Sequence, residues 1–382
     1  MTVRDETERV LRAWDAFERE TGGNPVIDFD CAPATADSGR APLDRAAARR
    51  ELRALRAEAD GEVAARLDAD LAYLDALLGA DRLPLDEYVR ATQGCGTAGQ
   101  DDDRLAAVRD AARAALADVG VAWGPAAHRE LRALEEPLQI TDAPDAIRAA
   151  VAELEPLVRA RTGSTAEYRL SIEPVAVDAY WAYWLDGAGS DVRLRLNLPQ
   201  VEFTRVGARQ FALHEVLGHG LQSASLTARA ARADVPWVRL LSVHALYQVA
   251  LEGLAQAWPL FLLPEDRLLT ARVRFDHYVQ LVRGRSHLAV NAGVPIAEAA
   301  AEMQTHMPWW DGKIGLDVLK DRRDDPLLRS YLWVYPTGMD WFARLADEAP
   351  APVADAVLRA SYAAPLTPGA LAALWPDGPL PA

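Results

Sequence analysis

His214 and His219 lie five residues apart in a stretch of helical texture, and that spacing constrains the fold more than any other feature of the chain. A regular helix turns about 100° per residue, so five steps leave the two rings roughly 140° apart, too divergent to share one ion. Either the histidines are unrelated, one buried and one exposed, or the helix absorbs an extra residue. A single π-type turn would bring both rings to one side, and Gly218 beside the second histidine tolerates that distortion.

The surrounding segment, Phe211-Ala-Leu-His214-Glu215-Val-Leu-Gly218-His219-Gly220-Leu-Gln222, favours the second reading, because a glutamate directly follows the first histidine. In the familiar His-Glu-x-x-His helix, two imidazoles chelate zinc and the glutamate reaches the water that the metal activates. Here Glu215 fills the place of that general base, which would later return the proton to a leaving amine. A third ligand follows in Leu251-Glu252-Gly253-Leu254-Ala255, on what reads as a separate helix beginning near Leu240. Two neutral imidazoles and one carboxylate leave zinc with net positive charge and an open position. His244, two helical turns before Glu252, is either a partner of the ligands or a rival ligand.

Composition narrows the partners. Across 382 residues, 41 basic and 56 acidic side chains give a net charge of −15, a balance that repels a phosphate backbone and an anionic bilayer. Neither nucleic acid nor membrane is therefore an expected partner. Two cysteines, Cys31 and Cys95, provide neither a disulfide framework nor a cysteine-based zinc knuckle. Both read as free thiols in a reducing compartment, with Cys95 either reactive or structural in its Gly-rich loop. That loop, GCGTAGQDDD at 94–103, lacks the Gly-Lys-Ser/Thr ending of a phosphate loop. The charged amino terminus and the lack of a long apolar run predict a cytoplasmic protein.

Leucine and valine recur at three- and four-residue intervals from Pro42 to Leu78, and Leu105 to Val119 and Ala143 to Arg161 read the same way. DVRLRLNL is the clearest strand, with Val192, Leu194, Leu196 and Leu198 on one face. A second strand starts in YRLSIEPV, near Tyr168. The expected fold is mostly α with a small antiparallel β-sheet, in a zincin-like metallohydrolase architecture. Residues 1–165 form an N-terminal helical region covering a cleft, and 166–382 a metal-binding catalytic region, the two making one cooperative unit. Trp181, Trp184, Trp309, Trp310, Trp333 and Trp341 all fall in the second half, as cleft walls or as core.

HEVLGHG resembles the His-Glu-x-x-Gly-His signature of the dipeptidyl peptidase III family of zinc aminopeptidases, which carries the same one-residue expansion. From about Glu173 to Trp341 the order of landmarks is similar to that of an uncharacterised bacterial family of gluzincin-like, carboxypeptidase-related proteins. Its signature runs His-Glu-x-x-Pro-Gly-His-His-Leu-Gln, then Glu-Gly-Trp-Ala, and HEVLGHGLQ and EGLAQAW stand in those places. Asn197 matches an asparagine ending the strand before the zinc helix. HLAVNAGV at 287–294 is similar to a later Arg-x-x-x-Asp-x-Gly segment, and YPTGMDW at 335–341 to a Pro-Gly segment that closes the site. This chain lacks the proline of the first motif, is one residue shorter between the histidines, and has His287, Asn291 and Pro295 where that family has Arg, Asp and His.

The resemblance implies a zinc hydrolase in which His214, His219 and Glu252 hold Zn2+, Glu215 is the general base, and Tyr331, Tyr335 or His287 stabilises the oxyanion. The expected substrate is a small peptide or amide. Residues 192–198 offer a strand for an extended peptide, and Arg193, Arg195, Arg205 and Arg209 are candidates for pairing with a substrate carboxylate. Two other classes stay open: a zinc- or iron-dependent biosynthetic enzyme acting on a small non-peptide metabolite, and a non-catalytic peptide-binding descendant.

Overall fold

Thr2 opens the first helix with a capping box: its hydroxyl accepts from the Asp5 amide while the Asp5 carboxylate answers the Thr2 amide. The computed structural model describes residues 2–35, 40–79, 83–97, 101–176, 183–197, 202–310 and 324–381; Trp181 and Leu198 lie outside them. Helix α1 (Val3–Thr21) buries Val10, Leu11 and Trp14 against α2 (Arg45–Arg56) and α3 (Gly61–Leu77). The single periodic run expected from Pro42 to Leu78 is thus two helices. The first ends at Arg56, and after a turn at residues 57–60 Gly61, in a left-handed conformation at a φ of +53°, opens the second.

Helices α4 (Leu85–Gln93), α5 (Asp102–Asp118), α6 (Ala127–Leu134) and α7 (Ala143–Thr162) complete the N-terminal part. The last two expected helices thus appear within a few residues of their predicted bounds. A five-stranded sheet follows the order β2-β4-β3-β1-β5, with β1 at Phe29–Asp30, β2 at Arg169–Val175, β3 at Tyr183–Ala188, β4 at Asp191–Asn197 and β5 at Leu240–Leu241. Strands β3 and β4 form a hairpin through Gly189-Ser190, with Gly189 at φ +63°.

The sheet is mixed where an antiparallel one was expected. Strand β2 pairs parallel to β4 on the flank opposite the hairpin partner, and β1 pairs parallel to β3. Because the hairpin occupies one side of β4, β2 can join only at the other side, and its direction there is parallel. Strand β4 is consequently an interior strand, closed on both edges by β2 and β3. It cannot be the edge on which a peptide aligns.

Val192, Leu194 and Leu196 turn into the core, and two of them, Leu194 and Leu196, meet α7 and the helical segment that carries the histidines. Helix α10 (Gln248–Leu262) runs through this core and is buried almost throughout. Beyond it come α11 (Arg267–Asn291), α12 (Ile296–His306), α13 (Pro326–Tyr331), α14 (Val334–Glu348), α15 (Ala351–Ser361) and α16 (Pro368–Leu374). No helix among the described residues is long and apolar enough to cross a membrane. Cys31 and Cys95 are both free and buried, and burial pushes each thiol up to about 12, so neither is ionised at neutral pH.

Helices α10 and α14 touch backbone to backbone at Gly253 and Gly338. A Cβ at position 338 would meet the Val249 carbonyl oxygen and lie 2.8 Å from the Gly253 Cα. This close crossing places Glu252 on α10 beside the tyrosines that flank the start of α14. Gly338→Val is expected to lower unfolding free energy by about 3 kcal/mol through overpacking. Denaturant titration checks this; an unchanged midpoint would show that the helices can separate without cost.

Candidate metal centre

The histidines sit on a π-helical segment, Ala212–Gly220, continuous with α8 (Arg205–Phe211) before it and α9 (Leu221–Arg232) after it. The distortion expected from the five-residue spacing is therefore present, and it spans nine residues where a single turn was expected. At its end the Leu221 amide reaches back five positions to the Val216 carbonyl. Leu213, Val216 and Leu217 face the core, which turns the other side of the segment toward a cavity. Gly218 is required by packing as well as by winding: a Cβ there would lie 2.7 Å from the Leu213 carbonyl oxygen and 2.9 Å from the Ala255 Cβ.

His214 and His219 point their Nε2 atoms at each other across 3.2 Å, with ring planes at 82°. Together with Glu215 they form a compact cluster that is compatible with a metal-binding site. The Glu215 Oε1 atom is 3.5 Å from His214 Nε2. Glu252 approaches from α10, with Oε2 3.3 Å from His214 Nε2 and Oε1 3.6 Å from His219 Nε2. Yet Glu252 Oε2 is buried without a hydrogen-bond partner. Two imidazole nitrogens and an unanswered carboxylate oxygen converging in a buried space are a donor set that fits a divalent cation. Two nitrogens and a carboxylate suit zinc or another first-row metal in particular.

Electrostatics separate the two carboxylates. Burial raises the proton affinity of Glu215, the Glu252 charge adds to that, and the two histidines only partly oppose it. Glu252 goes the other way: against the effect of burial, His219 and His214 hold its carboxyl well below the usual range. For His219, burial works against protonation, but the charges of Glu252 and Glu215 prevail and raise its pKa. Tyr331 donates to Glu252 Oε1, and Tyr335 donates to the Tyr331 hydroxyl at 2.9 Å. Burial and then the Glu252 charge keep Tyr331 protonated far beyond its ordinary range.

The cavity has a volume of about 370 Å³, within the range that holds small ligands. His214, Glu215, His219, Glu252, Tyr331 and Tyr335 all line it, with Trp184 of β3 and Asp28 just before β1. His287 is elsewhere: it is 0% exposed on α11, stacked against Trp333, and does not line the cavity. His244 is not on the helix of Glu252, which starts at Gln248 and not near Leu240. Its Nε2 is hydrogen-bonded to Asp70 at 2.8 Å and its ring stacks on Tyr73, so it serves the joint between α3 and the core. Of the other tryptophans, Trp333 and Trp341 are core, while Trp309 and Trp310 pack in a separate cluster with α11 and α12.

None of the four arginines waits for a substrate carboxylate. Arg193 and Arg195 both bond Asp186, Arg205 pairs with Glu136, and Arg209 bridges Asp266 and Glu153. No lysine or arginine lines the cavity among the described residues.

No protein-family model matches the chain, and no curated protein matches it. One similar solved structure is described as that of "the putative lipoprotein from Colwellia psychrerythraea", with a TM-score of 0.50 at 15% identity. The match covers 76% of this chain and 53% of that one, so the chain spans about half the length of that protein. A likeness at this level of identity concerns the fold alone.

Proposed function

We propose that the protein is a metal-dependent hydrolase of peptide or related amide bonds. The observation that carries this reading is the presence of two chemically distinct carboxylates at one pair of imidazoles. Glu252 lies near both rings and is favoured as an anion, while Glu215 lies on the histidine segment with its proton affinity raised. A merely structural ion has use for the first and none for the second.

His214, His219 and Glu252 would hold a zinc ion, which supplies Lewis-acid charge at the reacting carbonyl and makes water more acidic. Glu215 takes the proton from the attacking water and returns it to the leaving amine. Its raised proton affinity suits both halves of that task. Tyr331, kept protonated, and Tyr335 both line the cavity and are donors for the developing oxyanion. Tyr331 gives up its bond to Glu252 to do so, and the Tyr335 hydroxyl supports it.

An open strand edge favours an extended substrate. Strand β1 pairs only with Gly187 and Ala188 of β3, so Tyr183–Asp186 keep one edge without a strand partner among the described residues. Tyr183, Trp184 and Leu185 line the cavity. This part of β3, and not β4, offers main-chain groups to a peptide. Incubating zinc-loaded protein with peptides and N-acyl amides of defined sequence, followed by mass spectrometry, should show cleavage that a chelator abolishes and zinc restores. Intact substrates throughout would overturn the proposal.

A further inference from the structure

We infer that Asp28 selects the substrate by binding a cationic group on it, most simply a primary ammonium. The inference rests on the proposed hydrolase reading and names the substrate class for that site. Asp28 lines the metal cavity and also a second, larger cavity that it shares with Asp15, Asp30 and Asp186. Its backbone is pinned on both sides: its amide donates to Leu241 O at 2.9 Å and its carbonyl accepts from the Gly187 amide at 3.3 Å. The position of the side chain is thus set by the sheet.

Four carboxylates cluster in this region, and three are answered. Asp15 accepts from the Val26 and Ile27 amides and from Arg19, Asp30 is held in bidentate fashion by Arg12, and Asp186 takes Arg193 and Arg195. Asp28, the member of the group that reaches the metal cavity, makes no side-chain hydrogen bond or ion pair among the described residues. A nearby cation, Arg19, is already committed to Asp15 at 2.6 Å and to the Ile27 carbonyl at 3.0 Å. A partly buried carboxylate without a partner is costly unless something arrives to pair with it.

The cavity says what that partner is. It holds Asp28, Glu215 and Glu252 and, among the described residues, no lysine or arginine, so apart from the metal centre and its two histidines nothing in it would pair with a substrate carboxylate. Burial first, then the Asp15 charge against the opposing Arg19, with smaller contributions from Asp186 and Glu252, push the Asp28 carboxyl up to about 8, so it is mostly protonated at neutral pH until a cation pairs with it. A substrate cation placed there favours the ionised form of Asp28 and is attracted by the carboxylates that line the cavity. Phe29, Leu241, Val243, Leu251 and Leu327 supply apolar wall beside it, which fits an aliphatic group next to the ammonium.

The test compares ligands that differ only in that charge. Calorimetry on metal-free protein would use leucine amide against N-acetyl-leucine amide, and on zinc-loaded protein leucine hydroxamate against its N-acetyl form. Wild type should bind each free amine at least about tenfold more tightly than the acetylated partner. Asp28→Asn should erase the difference while leaving the affinity for the acetylated ligands within about twofold. Equal affinities in wild type, a preference that survives in Asp28→Asn, or no binding by any of the four compounds would overturn the assignment. Discrimination between the amides that persists while neither hydroxamate binds zinc-loaded protein would keep Asp28 and refute the metal-centre reading.

Discussion

Glu215→Gln is expected to keep its fold and full metal content while turnover falls by about 10²–10⁴-fold, the usual worth of a general acid–base group. Glutamine matches the volume of the side chain it replaces, which is only 5% exposed, so packing against the core is preserved. What it cannot do is accept the proton of an attacking water. The same variant decides between the two carboxylates, because Glu215 is itself close enough to His214 to serve as a ligand. If Glu215 were the ligand and Glu252 a bystander, the substitution would remove metal as well as activity. Metal content measured beside the rate of amide cleavage therefore separates the roles. Wild-type turnover, or loss of metal, would sink the assignment of Glu215 as base.

Local periodicity carries the helical half of this molecule and the winding of the histidine segment, because both are set by neighbours a few residues away. The mismatch between five residues and a helical turn is visible in HEVLGHG itself. Features decided by distant chain are not visible in this way. The His244 ring is taken by Asp70, 174 residues earlier, and nothing near His244 marks that partner. Strand β4 shows the alternation of an edge strand, yet its arginines are satisfied by Asp186 across the hairpin and its far side is closed by β2. Tyr331 and Tyr335 could be placed only by resemblance, since their meeting with Glu252 depends on the Gly253–Gly338 crossing. His287 had the same warrant and lies in the core. Asp28 had no signal at all: a lone aspartate before a two-residue strand gains meaning only when the sheet brings it to the cavity.

His219→Ala should lower metal affinity by more than about 100-fold, since removing even an outer partner of a ligand costs 10–100-fold. The argument turns on the π segment. Such winding has poorer hydrogen-bond geometry than the α-helix on either side and persists where a function or tight packing maintains it. In this chain it brings the His219 Nε2 to 3.2 Å from that of His214, whereas regular winding would send one ring away. If the distortion serves a chelate, wild-type protein gains thermal stability when zinc is added, by the linkage between binding and folding. His214→Ala, His219→Ala and Glu252→Gln would each lose that gain, while His306→Ala, on α12 and outside the cavity, retains it. Plasma mass spectrometry of the four variants, paired with melting curves with and without zinc, reads both effects. Unchanged zinc in His219→Ala would mean that the winding serves packing against Ala255 alone. Stoichiometric iron in place of zinc would move the chemistry from hydrolysis to oxidation.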